Sequence, residues 1–435
     1  MSQDWAEGRS PYWKFLKRLA QQTDGSRSFC QYGTVRILLA PGMVRPGTDR
    51  RRREDNPTMY TETQQQIRDM ARDFARNELA PGAAARDREH RVPMDAIKAM
   101  GDLGLMGIMV PEDYGGAGAD YVSYALAITE IAEADGACST MVSVHNSLTC
   151  MALNRYGSAG QKERFLTPLA TGRQLGCFCL TEPEAGSDAA AIRTTARRVG
   201  DRYILNGSKQ FITSGRSAHL ALVFAVTDPA AGRRGISAFL VPTDTPGYQI
   251  ARVEYTMGQR GSDHCHIVFE DCEIPAEFLL DQEGAGYRIA LSNLEGGRIG
   301  VAAQSLGMAR AAYEVALDYA RQRRTFGRPI IEHQAVGFRL ADMATGLQAA
   351  ELMIWRAATL RSEGKPCLKE ASMAKLFASE LAERVCADAI QTLGGYGYLE
   401  DFPVERIYRD VRVCTIYEGT SDIQRLVISR SIAAE

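Results

Sequence analysis

Near the C-terminal end, the stretch TIYEGTSDIQR, from Thr415 to Arg425, places a lone carboxylate among groups that crowd water away. Ile416 and Tyr417 precede Glu418, and Gly419 permits a tight turn directly after it. Ser421 and Gln424 stand at capping-box spacing, so a helix is expected to begin there and run through Ile423, Leu426 and Val427. An acid on the approach to a helix N-terminus feels two opposed effects. The N–H dipoles favour its charged form by about 0.3–1 kcal/mol, whereas burial against an apolar substrate pushes its pKa up. In a closed site burial wins, and a carboxylate raised toward neutral pH suits abstraction of a weakly acidic C–H proton. The other reading is a surface acid that merely complements the helix dipole.

A second stretch, CFCLTEPEAGSDAAAIRTTA, begins as a β-like run over Cys177–Thr181 and enters a loop of Pro, Ala, Gly and Ser. Exposed backbone N–H groups, with the hydroxyls of Thr181 and Ser187, suit the edge of a flat heteroaromatic ring or a phosphate. The alternative is a domain hinge, which would not need the flanking acids Glu182 and Asp188. His264 and His266 share one side of an expected strand, but no third ligand cluster lies nearby, so no metal is expected. The chain contains no G-x-G-x-x-G, no P-loop and no G-x-S-x-G, which removes the Rossmann, NTPase and hydrolase-elbow readings.

These residues must be positioned by a chain of 435 residues, enough for two or three domains. Hydrophobic residues make up 45% and charged residues 24%, and the net charge is -2. That balance gives no electrostatic reason for a nucleic-acid or anionic-membrane partner, and no apolar run is long enough to span a bilayer. Ten cysteines lack zinc-like spacing, so reduced thiols in an intracellular compartment are expected; the localisation expected is cytoplasmic, or a matrix compartment if the chain is eukaryotic. Residues 1–58 mix Gly, Pro and the run Arg50–Arg53 without periodicity, and are expected to be a disordered extension or sequence upstream of a natural start at Met59. Their acids argue against a transit peptide.

From 59 to 173 the periodicity is helical: Ile67, Met70, Ala71, Phe74, Ala75 and Leu79 share a face, and Pro81 is expected to end that helix. From 174 to 286 short apolar runs alternate with turn residues, and Asn206-Gly207 suggests a hairpin. From 287 to 435 three long helical faces joined by Gly/Pro loops predict an antiparallel bundle of roughly four helices. The fold class is therefore α+β: a helical domain, a β-barrel or sandwich domain, then a helical bundle.

CFCLTEPEAGSD, KQFITSG, RRTFGRPIIEHQ, QTLGGYGY and IYEGTSDIQR, in this order and spacing, resemble the acyl-CoA dehydrogenase family. The resemblance covers 59–435 and no part of 1–58. It is strongest toward members acting on short and short branched acyl chains, through KEASMAKLFASE and NLEGGRIG. It implies that a base removes the α-proton of an acyl-CoA while the β-hydride leaves to FAD, giving a trans-2-enoyl-CoA. It also implies a homotetramer built from dimers, with electron-transfer flavoprotein as electron acceptor. Glu418 matches the family's usual base, with Gly419 beside the thioester. Flavin contacts carry over to Phe178, Leu180, Thr181, Gly186, Ser187, Phe211, Ile212 and Thr213. Arg323, Phe326, Gln334, Gln391, Gly394 and Gly395 match positions that reach the FAD of a neighbouring subunit. Thr420 and Asp422 match its phosphate and adenosine side. Substrate contacts are expected from Ser187, and from Glu295 and Arg298 toward the CoA.

Some positions depart from the common pattern. Glu184 replaces a frequent glycine, Phe211 a frequent tryptophan, and Asp422 a frequent Gln or Glu. Some relatives carry the base immediately before the arginine of the GGR segment; here that position is Gly297. Two rivals stay open: an oxidase or monooxygenase-like member using O2, and a helical scaffold without cofactor.

Overall fold

The structure, a computed structural model, describes residues 28–32, 35–39 and 59–435. The chain divides into two units, Met1–Thr61 and Glu62–Glu435. In the first, β1 (Ser28–Tyr32) pairs antiparallel with β2 (Val35–Leu39). The expectation of disorder for the remainder of 1–58 lies outside the described residues.

The second unit begins with α1 (Glu62–Phe74), which buries Ala71 and Phe74. Pro81 does not end the helical path as expected. The backbone widens over Ala75–Leu79, tightens over Ala80–Gly82 where Pro81 has no N–H to give, and resumes as helix at Ala83–Glu89. After α2 (Met94–Asp102) and a loop, Asp120 caps α3 (Tyr121–Ala134) by accepting from the Ser123 N–H at 2.8 Å. Asp135 caps α4 (Gly136–Val144) in the same way. Both helices are buried on nearly every side, because the later bundle packs over them.

The middle region is one eight-stranded sheet in the order β10-β7-β6-β4-β5-β9-β8, with β3 parallel to β6. The strands are β3 (Gly176–Cys179), β4 (Thr195–Val199), β5 (Arg202–Thr213), β6 (Leu220–Val226), β7 (Ile236–Pro242), β8 (Tyr248–Val253), β9 (His264–Pro275) and β10 (Leu279–Leu280). LALVFAV, the sequence of β6, is continuously apolar, and ISAFLVP, that of β7, is apolar apart from the buried Ser237, because both faces are covered. By contrast, β9 alternates half-buried and buried residues over its first six positions. Leu153, Phe165 and Leu169 of the helical region pack in one core with Leu222, Phe224 and Phe239 of the sheet.

The expected hairpin at Asn206-Gly207 is not a turn. β5 runs straight through it, with a register shift between Leu205 and Gly207. Gly207, at φ 144°, lets the strand pass against Thr194, whose Cα would lie 2.6 Å from a Cβ there. Asn206 instead bonds across to Asp271 through both side-chain and backbone groups.

The C-terminal region is built on α5 (Gly286–Gln322), α6 (Gln334–Ser362) and α7 (Leu368–Leu393), followed by α8 (Pro403–Val411) and α9 (Ser421–Ala433). α5 is the central helix, packed on α7, α6 and α3, and every residue from Gly296 to Ala312 in it is buried. All nine described cysteines are buried and free.

Candidate active site

Glu418 sits in the turn that leads into α9, at φ 52°, followed by Gly419 at φ 91°. A non-glycine residue in the left-handed region is strained and must be held there. Two side chains hold it. The Gln424 amide donates to the carbonyls of Glu418 at 3.2 Å and Gly419 at 2.8 Å. Lys375 of α7 donates its Nζ to the Gly419 carbonyl, also at 2.8 Å. The cap of α9 is Thr420, whose Oγ1 accepts from the Ile423 N–H at 3.3 Å. Ser421, the cap expected from sequence, has a buried hydroxyl without a partner among the described residues, and Gln424 turns back onto the Glu418 turn instead.

The carboxylate points inward. Glu418 keeps some exposure as a residue, but its Oε2 is enclosed and has no hydrogen-bond partner among the described residues. The charge resides on that tip, so burial of the atom governs its ionisation. Burial raises its pKa from 4.5 to about 7, opposed by the positive charges of Lys375 and Arg298. Space for it is made by Gly297 of α5: a Cβ there would stand 1.9 Å from Oε2 and 3.1 Å from Leu148 Cδ2. The glycine thus leaves the space to Glu418. Arg298 is itself buried, donates to Ser372 Oγ at 3.1 Å, and has an Nε without a partner among the described residues. A buried, unpaired carboxylate oxygen and a buried, unpaired guanidinium N–H in one region mark a place built for something polar to complete it.

Glu295 is set apart from this centre. Its carboxylate is engaged by Arg361 at 3.0 Å and by Cys367, through Sγ at 3.0 Å and N at 3.3 Å. Glu295 is half-buried and Arg298 is buried. Among the described residues no group of three His, Cys, Asp or Glu side chains could hold a metal. His264 instead meets Thr213 Oγ1 at 3.3 Å.

The loop after β3 is built rather than floppy. Glu182 and Ala185 exchange two backbone hydrogen bonds. The Glu182 carboxylate accepts from the N–H groups of Arg193 and Thr194 and pairs with Lys209 Nζ at 2.8 Å. Lys209 has no exposed surface and also donates to the Leu180 carbonyl at 3.1 Å. Burial opposes ionisation of Glu182, but Lys209 and the N–H donors outweigh it and hold the carboxyl below its usual range. Glu182 is therefore a loop anchor, whereas Asp188 is exposed. Glu184, the unusual residue, pairs with Arg193 at 2.7 Å on the surface. The anchored loop presents Thr181 half-buried and Gly186 and Ser187 exposed.

Residues 61–173, 177–272 and 284–433 match the N-terminal, middle and C-terminal domains of acyl-CoA dehydrogenase. The chain belongs to the acyl-CoA dehydrogenase family. It is 49% identical over 368 residues to the human short-chain specific acyl-CoA dehydrogenase, mitochondrial, covering 85% of this chain and 89% of that one. It is similar to butyryl-CoA dehydrogenase from Megasphaera elsdenii, with TM-score 0.85, 42% identity, and 86% and 99% of the two chains covered. It is also similar to a Mycobacterium smegmatis glutaryl-CoA dehydrogenase in complex with FADH2, with TM-score 0.83, 32% identity, and 88% and 97% covered.

Acyl-CoA dehydrogenases are flavoprotein oxidoreductases, and the positions matched to a flavin can be tested here for fit. Phe211 is 66% exposed at φ 60°, and Phe326 is 95% exposed at φ 49°. Two large aromatics held in strained backbone with their faces uncovered suit a flat ring system that would cover them. Ile212 and Leu180 are buried behind, and Phe178 packs against Phe224 with ring centroids 4.9 Å apart. Arg323, Gln334, Gln391, Gly394 and Gly395 are all exposed, on the ends of α5, α6 and α7 and the loop beyond. Thr420 and Asp422 line a groove of about 680 Å³ with Arg384 and Arg412. These residues fit a flavin.

Sequence reasoning missed Lys375 and Gln424 as braces, because Lys375 reads as an ordinary member of a helix and Gln424 as half of a capping box. It also missed a buried polar chain. Tyr417 Oη donates to Gln304 Oε1 at 2.5 Å, and Gln304 Nε2 donates to Thr140 Oγ1. Thr140 then donates to Gln259 Oε1 at 2.5 Å, and Gln259 bonds to Asp410 through its N–H and its side chain. No helix of the described residues is long and apolar enough to cross a membrane.

Proposed function

We propose that the protein oxidises a short or short branched acyl-CoA to its trans-2-enoyl-CoA, with Glu418 as the base. The reading is carried by one observation: the Glu418 Oε2 is enclosed, unpaired and beside two cations, with its pKa pushed up to about 7. Such a carboxylate is ionised enough near neutral pH to accept a proton, and basic enough to take one from carbon. The α C–H bond breaks with its proton going to Glu418, and the electron pair forms the α,β double bond as the β-hydride departs.

FAD, when bound against the Thr181 loop and the Phe211 wall, supplies the hydride acceptor, and electron-transfer flavoprotein drains the electrons. Every other part is supplied by the chain. The Glu418 N–H donates to no acceptor among the described residues and would polarise the thioester carbonyl. Ser187 and Gly419 border the substrate, while Arg323, Phe326, Gln334, Gln391, Gly394 and Gly395 serve a neighbouring subunit's cofactor in a homotetramer. Thr420 and Asp422 hold the phosphate and adenosine side. Identity to short-chain relatives supports the substrate class, and a panel of straight and branched acyl-CoA from C3 to C8 resolves it.

The decisive experiment is Glu418→Gln. The purified variant should remain yellow and keep its flavin, while turnover with butyryl-CoA falls by at least about 1,000-fold, the loss expected for an essential proton acceptor. Substantial residual turnover would assign the base elsewhere. Hydrogen peroxide release by the wild type matching dye-linked turnover would replace the flavoprotein partner with O2.

A further inference from the structure

Lys375 has no part in the reaction as described above, yet it is wholly buried at a place where a lysine is costly. Its one hydrogen bond among the described residues goes to the Gly419 carbonyl at 2.8 Å. That carbonyl belongs to the peptide next to the strained Glu418, and Gln424 grips the same oxygen from the other side. A neutral donor such as Gln424 would suffice to satisfy one carbonyl. A second donor that carries a full charge implies a use for the charge, and the Glu418 carboxylate is the anion it acts on.

We propose that Lys375 is the positioning residue of the base: its ammonium locks the left-handed Glu418-Gly419 turn and keeps the enclosed carboxylate charged enough to accept a proton. Each packed element contributes to the same balance. Arg298 of α5 is the second cation, Tyr124 of α3 places a neutral hydroxyl nearby, and Leu148 is apolar. Lys375 is in turn influenced by Glu418, Cys414, Arg298 and Glu380, while burial lowers its pKa to about 8. Two groups titrating close together, one above the other, confine full activity to a window in which Glu418 has lost its proton and Lys375 has kept one.

The inference rests on Glu418 being the base, and the test separates the two claims. The neutral carboxyl C=O stretch of Glu418 is followed by difference infrared titration of the flavin-loaded enzyme, identified as the band absent from Glu418→Gln. Three variants are compared: Lys375→Arg, which keeps charge; Lys375→Gln, which keeps a donor; and Lys375→Met, which keeps neither. The midpoint should stay near that of the wild type in Lys375→Arg. It should move alkaline by about one pH unit, tenfold in the ionisation constant, in Lys375→Gln and Lys375→Met. The acid limb of kcat for butyryl-CoA should move with it, with KM little changed. If Lys375→Met fails to fold, Lys375→Gln carries the test. An unmoved midpoint in a folded, flavin-loaded Lys375→Gln overturns the proposal even where Glu418→Gln is inactive. An active Glu418→Gln overturns the underlying assignment of the base instead.

Discussion

At the scale of single residues, the chemistry is set by who is allowed near Glu418. Gly297 is the clearest case, since any side chain there collides with the carboxylate oxygen. Gly297→Ala should therefore cost about 1–3 kcal/mol of stability through overpacking. It should also lower kcat by at least about tenfold, because a base displaced by even an ångström loses its alignment. Thermal melting and steady-state kinetics on the flavin-loaded variant check both; unchanged kcat would mean the carboxylate has another resting place. That the Glu418 carboxylate would be enclosed was legible in the sequence. A lone acid between an apolar pair and a glycine has few structural uses, and the surrounding motifs are specific. Lys375 was not legible, because KEASMAKLFASE offers it only as one polar position on a long helix, and its burial comes from packing with α9 and α5.

At the scale of elements, the turn into α9 shows how local signals mislead by one residue. Ser421 and Gln424 have the spacing of a capping box, yet the cap is Thr420 and Gln424 braces the carbonyls behind it. Thr420→Ala should lose about 1 kcal/mol, the usual worth of a cap. Ser421→Ala should lose none, or gain slightly, since it removes a buried hydroxyl without a partner. Chemical denaturation of the two variants distinguishes them, and equal losses would restore the sequence-based cap. The continuous strand through Asn206-Gly207 is a similar lesson. That dipeptide signals a hairpin only when its flanks can pair with each other, and here both flanks are claimed by β9 and β4. The α, β, α order and the long helices were readable because their periodicity extends over many residues. The register shifts were not, because they arise from partners distant in sequence.

At the scale of the whole molecule, an enclosed acid couples function to stability. Glu418 has a folded pKa raised to about 7 from 4.5, so its favourable contribution is complete below the unfolded value and is lost as pH rises through the folded one. Glu418→Gln should match the wild type near pH 4.5 and exceed it at pH 8 by about 1–3 kcal/mol. The lower end is expected, because Lys375 and Arg298 lose a counter-charge in the variant. Asp410, also raised to about 7 by burial, gives both proteins the same background trend. Melting temperatures across this range test the sign, and a variant less stable than wild type at pH 8 would refute it.

The file of polar groups from Tyr417 through Gln304, Thr140 and Gln259 to Asp410 draws on the bundle, the first helices and the sheet region alike. No lobe can swing away without stranding donors and acceptors in the other two. Breathing of this enzyme should therefore be concerted: in deuterium exchange, peptides carrying Thr140, Gln259 and Tyr417 should open together, as one unit, ahead of or behind the rest but never singly.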